Sequence, residues 1–404
     1  MLAPMNNKAL DRKIKRHIIA TENKIFMAIQ PGLEEAGEIE LQKMNLDVKR
    51  EIEPGSLTST AKLEDLWRLV LTGRSFSRIY LRLKEFKAEG FKELKKKIES
   101  IPWELYLNEG CEYRVRITTT HSRLHVHDKI IKALHHSMSE HFIALEGRSP
   151  RLTESKEKDP TIQTVVIRAV DDHFTISLDA GGGALYERGY RQNINEAPLK
   201  ENIASALLIL AGIEQKSLII DPMCGSGTFS LEALSMTAGC LTSTKRHYPF
   251  EYWPSFRPVR YDWLIKQLKE AENKAIEVLA SDIDEKSLEA ARMNLSLLEK
   301  QSGLDTSGCR IETKDFFIAS DSVLNNKDSS LLIINPPYGK RLALKDQLEF
   351  FRNIGKMLKT EYKGMDWGII VPGLECEKAL ELKWKKKYLF KNGGFPVSFI
   401  IGCS

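Results

Sequence analysis
No run of this sequence is apolar for long enough to cross a bilayer as a helix, and no short apolar core follows its basic start. Neither a membrane span nor a secretory leader is therefore expected. Cysteine is sparse: six residues in 404, at 111, 224, 240, 309, 376 and 403, with no CxxC pair. That spacing argues against a zinc site and a disulfide framework, and fits reduced, buried thiols of a cytoplasmic protein. Six of the nine histidines crowd between residues 121 and 141 (His121, His125, His127, His135, His136, His141). No cysteine or carboxylate accompanies them at ligand spacing, so they read as solvated or packed side chains and no metal is expected. A large excess of one charge is also missing. The net charge of +5 and pI near 8.7 permit a nucleic-acid partner without requiring one.

The familiar nucleotide loops are absent too. Gly181-Gly-Gly183 has neither the GxGxxG nor the GxxxxGK[ST] spacing and reads as a turn leading into a linker. Asp221-Pro-Met-Cys-Gly-Ser-Gly-Thr228 lacks the third glycine of a dinucleotide loop and the lysine of a triphosphate loop.

With 404 residues, two or three domains are expected. Residues 1–22 read as a loose basic arm, with a solvated tail favoured over a phosphate-binding arm. Residues 23–100 alternate short strands and helices as a small α+β unit of ferredoxin-like form, with strands over 24–29, 47–53 and 77–83 and helices over 33–44, 64–73 and 91–98. Residues 101–184 form a third unit: a strand over 111–119, a helix over 124–141, then two strands joined at Asp171-Asp172, a hairpin signal. Arg123, Lys129 and Lys132 on this unit read equally well as phosphate contacts or as a solvated helix face. The catalytic candidate begins at 185, with a helix starting at Ala197-Pro198 and ending at Gly212.

The second half carries the chemistry. Ser217 to Asp221 is an apolar strand ending in an acid, and Gly225 and Gly227 follow it, where the backbone can approach a ligand closely. A second strand ends at Asp282, where a carboxylate can hold a ribose diol, with Ile283 after it. Asp284 is better placed to cap the next helix. A third strand ends at Asp315-Phe316, where a carboxylate could accept from an adenine amine and an aromatic ring pack beside it, although a simple turn acid fits equally well. A fourth, Leu331 to Ile334, ends in Asn335-Pro-Pro-Tyr338. Two prolines force the chain out of the sheet. The Asn amide oxygen and the Pro336 carbonyl can both accept from an exocyclic NH2, and Tyr338 can stack on the ring that bears it. Between the first two strands, Lys245 to Trp263 is rich in aromatics and arginines. It reads either as a hydrophobic cluster covering the sheet edge, the favoured reading, or as a stacking surface for RNA with Arg257 and Arg260.

Taken together, Asp221-Pro-Met-Cys-Gly-Ser-Gly-Thr228, Asp282, Asp315 and Asn335-Pro-Pro-Tyr338 resemble the motifs of class I S-adenosylmethionine-dependent amino-group methyltransferases. With Leu185-Tyr-Glu-Arg-Gly-Tyr-Arg191 and Ala197-Pro-Leu-Lys-Glu201, residues 24–404 resemble the THUMP-domain RNA methyltransferases, closest to the large-subunit (23S) ribosomal RNA guanine-N2 enzymes. The resemblance implies an α/β architecture: a Rossmann-like seven-stranded sheet whose last strand is antiparallel, preceded by ferredoxin-like and THUMP RNA-binding units. It implies S-adenosylmethionine held by Asp221, Met223, Gly225, Gly227, Thr228, Asp282, Ile283, Asp315, Phe316 and Asn335, and a target amine gripped by Asn335 and Pro336 with Tyr338 on the base. RNA contacts at Arg188 and Arg191 are a further expectation; tRNA is the nearest rival substrate, with a DNA adenine-N6 methyltransferase and a non-catalytic RNA-binding assembly factor as more distant alternatives. Cys224 carries no expected catalytic role. The chain ends soon after the last expected strand, so no fused second methyltransferase is expected.

Overall fold
The computed structural model describes residues 7–51, 53–191, 199–242, 246–270, 274–318, 327–337 and 344–403. Two sheets carry the chain. The first is eight-stranded and built from β1 (Asn23–Ile29), β2 (Lys49–Arg50), β3 (Ser56–Ala61), β4 (Phe76–Lys87), β5 (Glu112–Thr120), β6 (Arg151–Leu152), β7 (Gln163–Val170) and β8 (His173–Asp179). Its order is β2-β3-β1-β4-β8-β7-β5-β6. Strand β4 pairs with β1 on one side and β8 on the other, so the sheet runs unbroken past residue 100. Alternation drives these strands: Ile25, Met27 and Ile29 of β1 are buried while their neighbours are half-exposed. The β7–β8 hairpin turns at Asp171 and Asp172 with φ of 49° and 63°, the left-handed pair that matches strand twist and that aspartate tolerates.

Three expectations change here. The N-terminal arm is helical over Asn7–Ala20, and its Ile14 and His17 are buried. The His17 ring meets Tyr106 edge-on at 5.3 Å, so this segment is anchored by an apolar face invisible in its lysine and arginine content. The strand expected over 47–53 pairs only at Lys49–Arg50, and the central neighbour of β1 is instead β3, Ser-Leu-Thr-Ser-Thr-Ala. Its serine and threonine content hid a strand whose Leu57, Thr58 and Ser59 are buried.

The second sheet comprises β9 (Leu218–Asp221), β10 (Glu277–Asp282), β11 (Cys309–Thr313), β12 (Ser330–Ile334), β13 (Asp366–Val371), β14 (Lys386–Asn392) and β15 (Phe395–Cys403). Its order is β11-β10-β9-β12-β13-β15-β14, with β15 antiparallel to both neighbours. Strand β12 is buried at all five positions, as a central parallel strand covered on both faces must be. The order reverses between β9 and β12, which opens a crevice at the carboxyl ends of those two strands.

The halves are packed together. The insertion expected to cover the second sheet's edge belongs to the first half's core. Trp253 lies 6.2 Å from Tyr106, Phe250 lies 6.1 Å from Trp67, and Trp253 Nε1 donates to Gln163 at 2.8 Å. Lys245, where the insertion was expected to begin, lies outside the described residues. In return, Leu33 and Ala36 enter the second half's core.

Candidate active site
Four strand ends meet along one edge of the second sheet. Register places Asp221 beside Ala280, and Asp282 beside Thr313. Strand β12 runs parallel to β9 with Leu332 opposite Ile220. Asp315, Asp282, the 222–227 loop and Asn335 therefore follow one another across the edge, over three interstrand gaps or about 14 Å.

The loop is fixed from below. Gly225 and Gly227 have φ of 53° and 85°, a region that favours glycine. A side chain at Gly225 would meet nothing within 4 Å, so the turn is open on that side. Gly225 N–H donates to Asp282 Oδ2 at 2.9 Å, and Cys224 N–H to the Ser281 carbonyl at 3.0 Å. The Asn294 side chain donates to the Ser226 carbonyl at 3.2 Å. Thr228 starts the helix Thr228–Thr237 and is buried, and Met223 is half-buried. Asp282 Oδ1 also accepts, from Asp284 N–H at 3.0 Å. Each Asp282 oxygen keeps a further lone pair for a diol. Asp284 caps the helix Glu285–Ser302 by accepting from Ser287, as expected.

Asp221 lies beneath the loop, 1% exposed, and accepts from Ser230 Oγ at 2.7 Å. Its Oδ1 is buried with no hydrogen-bond partner. Burial pushes this carboxyl up to about 7, and the charge of Asp282 adds to the rise. Burial also raises the Cys224 thiol, which leaves it protonated and inert at neutral pH.

Asp315 Oδ1 accepts from Phe317 N–H at 2.9 Å and shapes the turn after β11. Phe316 departs from expectation. Its ring is 3% exposed and stacks on Tyr362 at 5.5 Å, inside the core beneath the sheet edge, so its face is not offered to a ligand. Two apolar side chains near it are offered: Ile283 after Asp282, and Ile318, at 73% and 65% exposure. Sequence reading found the first and missed the second, whose only signal was its place three residues after Asp315.

Asn335 stands at the end of β12 with its Oδ1 buried and unpartnered. Such an oxygen costs about 1–3 kcal/mol to bury without a donor. Pro336 beside it is buried. Tyr338 lies outside the described residues.

The arginines expected at RNA divide sharply. Arg188 is 2% exposed and donates to the Leu185 and Arg74 carbonyls at 2.8 and 2.7 Å. Arg191 pairs with Glu201 at 3.3 Å and donates to the Leu199 carbonyl. Both are internal supports and not RNA contacts. Beside them, Glu232 gathers a buried cluster that sequence reading missed: Arg74 Nη1 at 3.3 Å, Arg188 Nε at 3.6 Å, and the Tyr190 and Ser205 hydroxyls. Burial opposes ionisation of Glu232, but Arg188 and Arg74 outweigh it and hold the carboxyl below its usual value. Arg257 is half-buried and donates to the Pro254 and Phe256 carbonyls, so it too is spent on local structure. Arg123, Lys129 and Arg260 are exposed; Arg123 pairs with Glu89, and Arg260 with Glu64. Among the described residues no cluster suits a metal ion, and no helix is long and apolar enough to cross a membrane.

Known proteins are similar to this chain in sequence and in fold. The family model described as "RMKL-like, methyltransferase domain" matches residues 188–398. The chain belongs to this methyltransferase-domain family. A THUMP domain model matches residues 88–179. Over 92% of its length the chain is 28% identical to a ribosomal RNA large subunit methyltransferase K/L from Syntrophotalea carbinolica, covering 52% of that protein. The chain thus spans about half the length of the K/L relatives it matches. It is 27% identical to a Synechocystis protein named "putative RNA methyltransferase", covering 97% of it and 94% of itself. A solved structure of SMU.472, named a "putative methyltransferase complexed with SAH", superposes with a TM-score of 0.80 at 25% identity, covering 96% of this chain and 99% of the other.

Proposed function
We propose that this member of the methyltransferase-domain family transfers a methyl group from S-adenosylmethionine to the exocyclic N2 amine of a guanosine in large-subunit ribosomal RNA. The observation that carries the reading is the buried, unpartnered Oδ1 of Asn335 at the switch point of the sheet. An oxygen left without a donor at a strand end is what an incoming amine would satisfy. The names of the K/L relatives supply the RNA class, and the THUMP match agrees with it.

The residues present fit the cofactor. The open turn at Gly225 accepts the close approach of its methionine end. The free lone pairs of Asp282 suit its ribose diol, and Asp315 with Ile283 and Ile318 suits its adenine. When bound, S-adenosylmethionine supplies an electrophilic methyl group on a sulfonium. The amine of guanine is a poor nucleophile because its lone pair is delocalised into the ring. Asn335 Oδ1 and the Pro336 carbonyl accept its two N–H bonds, which turns the lone pair out of the ring plane and toward the methyl group. The amine nitrogen held by Asn335 and Pro336 would take up the methyl group, with the thioether as leaving group, and would lose one proton to solvent. Positioning and water exclusion supply the acceleration, and Tyr338 would offset part of the cost of unstacking the base. We assign residues 185–404 to this catalysis, 101–184 to RNA binding, 23–100 to the N-terminal unit and 1–22 to the arm that carries its leading helix.

Incubation with labelled S-adenosylmethionine and protein-free large-subunit rRNA, bulk tRNA or duplex DNA tests the reading. N2-methylguanosine in rRNA is the expected product. The same nucleoside in tRNA alone would move the substrate, and N6-methyladenine in DNA would overturn the assignment.

A further inference from the structure
Four arginines from three separate segments converge around one buried carboxylate. Arg78 of β4 and Arg116 of β5 approach Asp179 Oδ2 at 3.5 and 3.8 Å. Arg114, two residues before Arg116 and on the same face of β5, donates to Thr164 Oγ1 at 2.9 Å and to the Ser155 and Glu157 carbonyls at 3.3 and 2.8 Å. Arg246, from the insertion of the catalytic half, donates to the Gly182 and Ala184 carbonyls at 2.9 Å each, and Gly182 N–H donates to Asp179 Oδ1. Asp179 lies within electrostatic reach of Arg78, Arg114, Arg116 and Arg246, and Asp159 within reach of Arg114. Four guanidiniums thus share one buried carboxylate. Asp179 is 1% exposed, and burial raises its carboxyl despite Arg78 and Arg116. Arg114 shows the crowding from the other side: burial and the charge of Arg116 push its guanidinium down.

A fold gains nothing in stability from crowding like charges. A polyanion that supplies the missing negative charge gains from finding them already placed. The exposures fit such a role: Arg78 and Arg116 side chains are 32% and 44% exposed above the buried Asp179. Elsewhere on the face three cations are matched. Lys24 and Arg82 pair with Glu85, and Arg168 with Glu53. The guanidinium cluster lies at the end of the sheet that meets the catalytic half through Arg246.

We propose that Arg78 and Arg116, backed by the charge of the carbonyl-bound Arg114 and Arg246, form a seat for the phosphodiester backbone of a single-stranded segment of the RNA, at the junction of the two halves. The proposal rests on RNA being the substrate. The seat reads charge and not sequence. The nearby Phe26 and Tyr80 rings stack on each other at 5.9 Å, and Arg82 covers Phe26 at 4.6 Å. This location differs from the helix and insertion arginines that the sequence suggested.

The test is anisotropy titration of fluorescent single-stranded RNAs of unrelated sequence, across a salt series, with wild type, R116Q and the double variant R78Q/R116Q. The double variant should bind about tenfold more weakly to every sequence, with the slope of log affinity against log salt reduced by about 0.7 for each phosphate that is no longer neutralised. R116Q leaves Arg78 to compensate Asp179 and should show half the slope change. Unchanged melting temperature and unchanged S-adenosylhomocysteine binding identify correctly folded variants. Wild-type affinity and slope in folded R116Q would overturn the seat and leave the functional reading standing. A wild type that binds no RNA would overturn both.

Discussion
Asp221 illustrates how a residue's role can be half legible. The sequence places an acid at the end of an apolar strand before a glycine turn, which marks the loop. It does not reveal that the carboxyl is sealed under that loop with one oxygen unpartnered. The pH dependence follows from burial. With a folded value near 7 and an unfolded value near 4, the native state holds more protons than the unfolded state between those limits. Stability therefore falls as pH rises through this window, and the loss is complete above it. Asp221→Asn removes the contribution. Its melting temperature should rise relative to wild type from pH 5 to pH 7 and then hold a constant offset, as read by thermal unfolding in matched buffers. An offset independent of pH would mean that Asp221 ionises freely. Arg188 and Arg191 show the opposite limit. Arginines in a glycine- and tyrosine-rich linker look like phosphate contacts, and only the packing shows that carbonyls, Glu232 and Glu201 consume them.

Among the elements, periodicity made the strands of the second sheet readable, because a central parallel strand is a short apolar run bounded by turn residues. The acids and the Asn335-Pro336 pair at their ends were readable for the same reason. Strand β3 escaped, since serine and threonine mimic a loop, and the insertion 245–263 was read against the wrong sheet, since sequence distance gives no clue to which core an aromatic run enters. Its packing makes a contrast between two tryptophans. Trp253 is buried against Tyr106 and Phe250 and donates to Gln163, whereas Trp263 is 61% exposed. Trp253→Ala should cost about 3–5 kcal/mol, and Trp263→Ala about 0.5 kcal/mol or less, in urea unfolding. Equal costs would contradict the placement of the insertion. The cap at Asp284 is a smaller effect: Asp284→Ala should cost about 1 kcal/mol in the same measurement.

For the molecule as a whole, the consequential feature is the joint between halves, which no motif announced. Arg74 from the first half reaches Glu232 and the Ser235 hydroxyl and carbonyl on the helix that follows the glycine loop. Asn202 donates to the Ser75 carbonyl, and Lys386 and Tyr388 of β14 meet Glu35. Residues that touch across the joint are far apart in sequence and individually ordinary, so single-sequence reading had nothing to detect. Replacing Glu232 with Ala strands two buried guanidiniums and should cost about 3–5 kcal/mol. Fluorescence and circular dichroism should still report one coincident transition, because both halves share the cluster. Separate transitions in wild type would contradict the packed joint.

The central claim is that Asn335 Oδ1 grips the amine that is methylated. Single-turnover methylation of large-subunit rRNA by Asn335→Ala, with S-adenosylhomocysteine affinity measured alongside, tests it most directly. The account predicts a rate about 100-fold or more below wild type with cofactor-product affinity within a few-fold of it. A wild-type rate of N2-methylguanosine formation in the variant would contradict it.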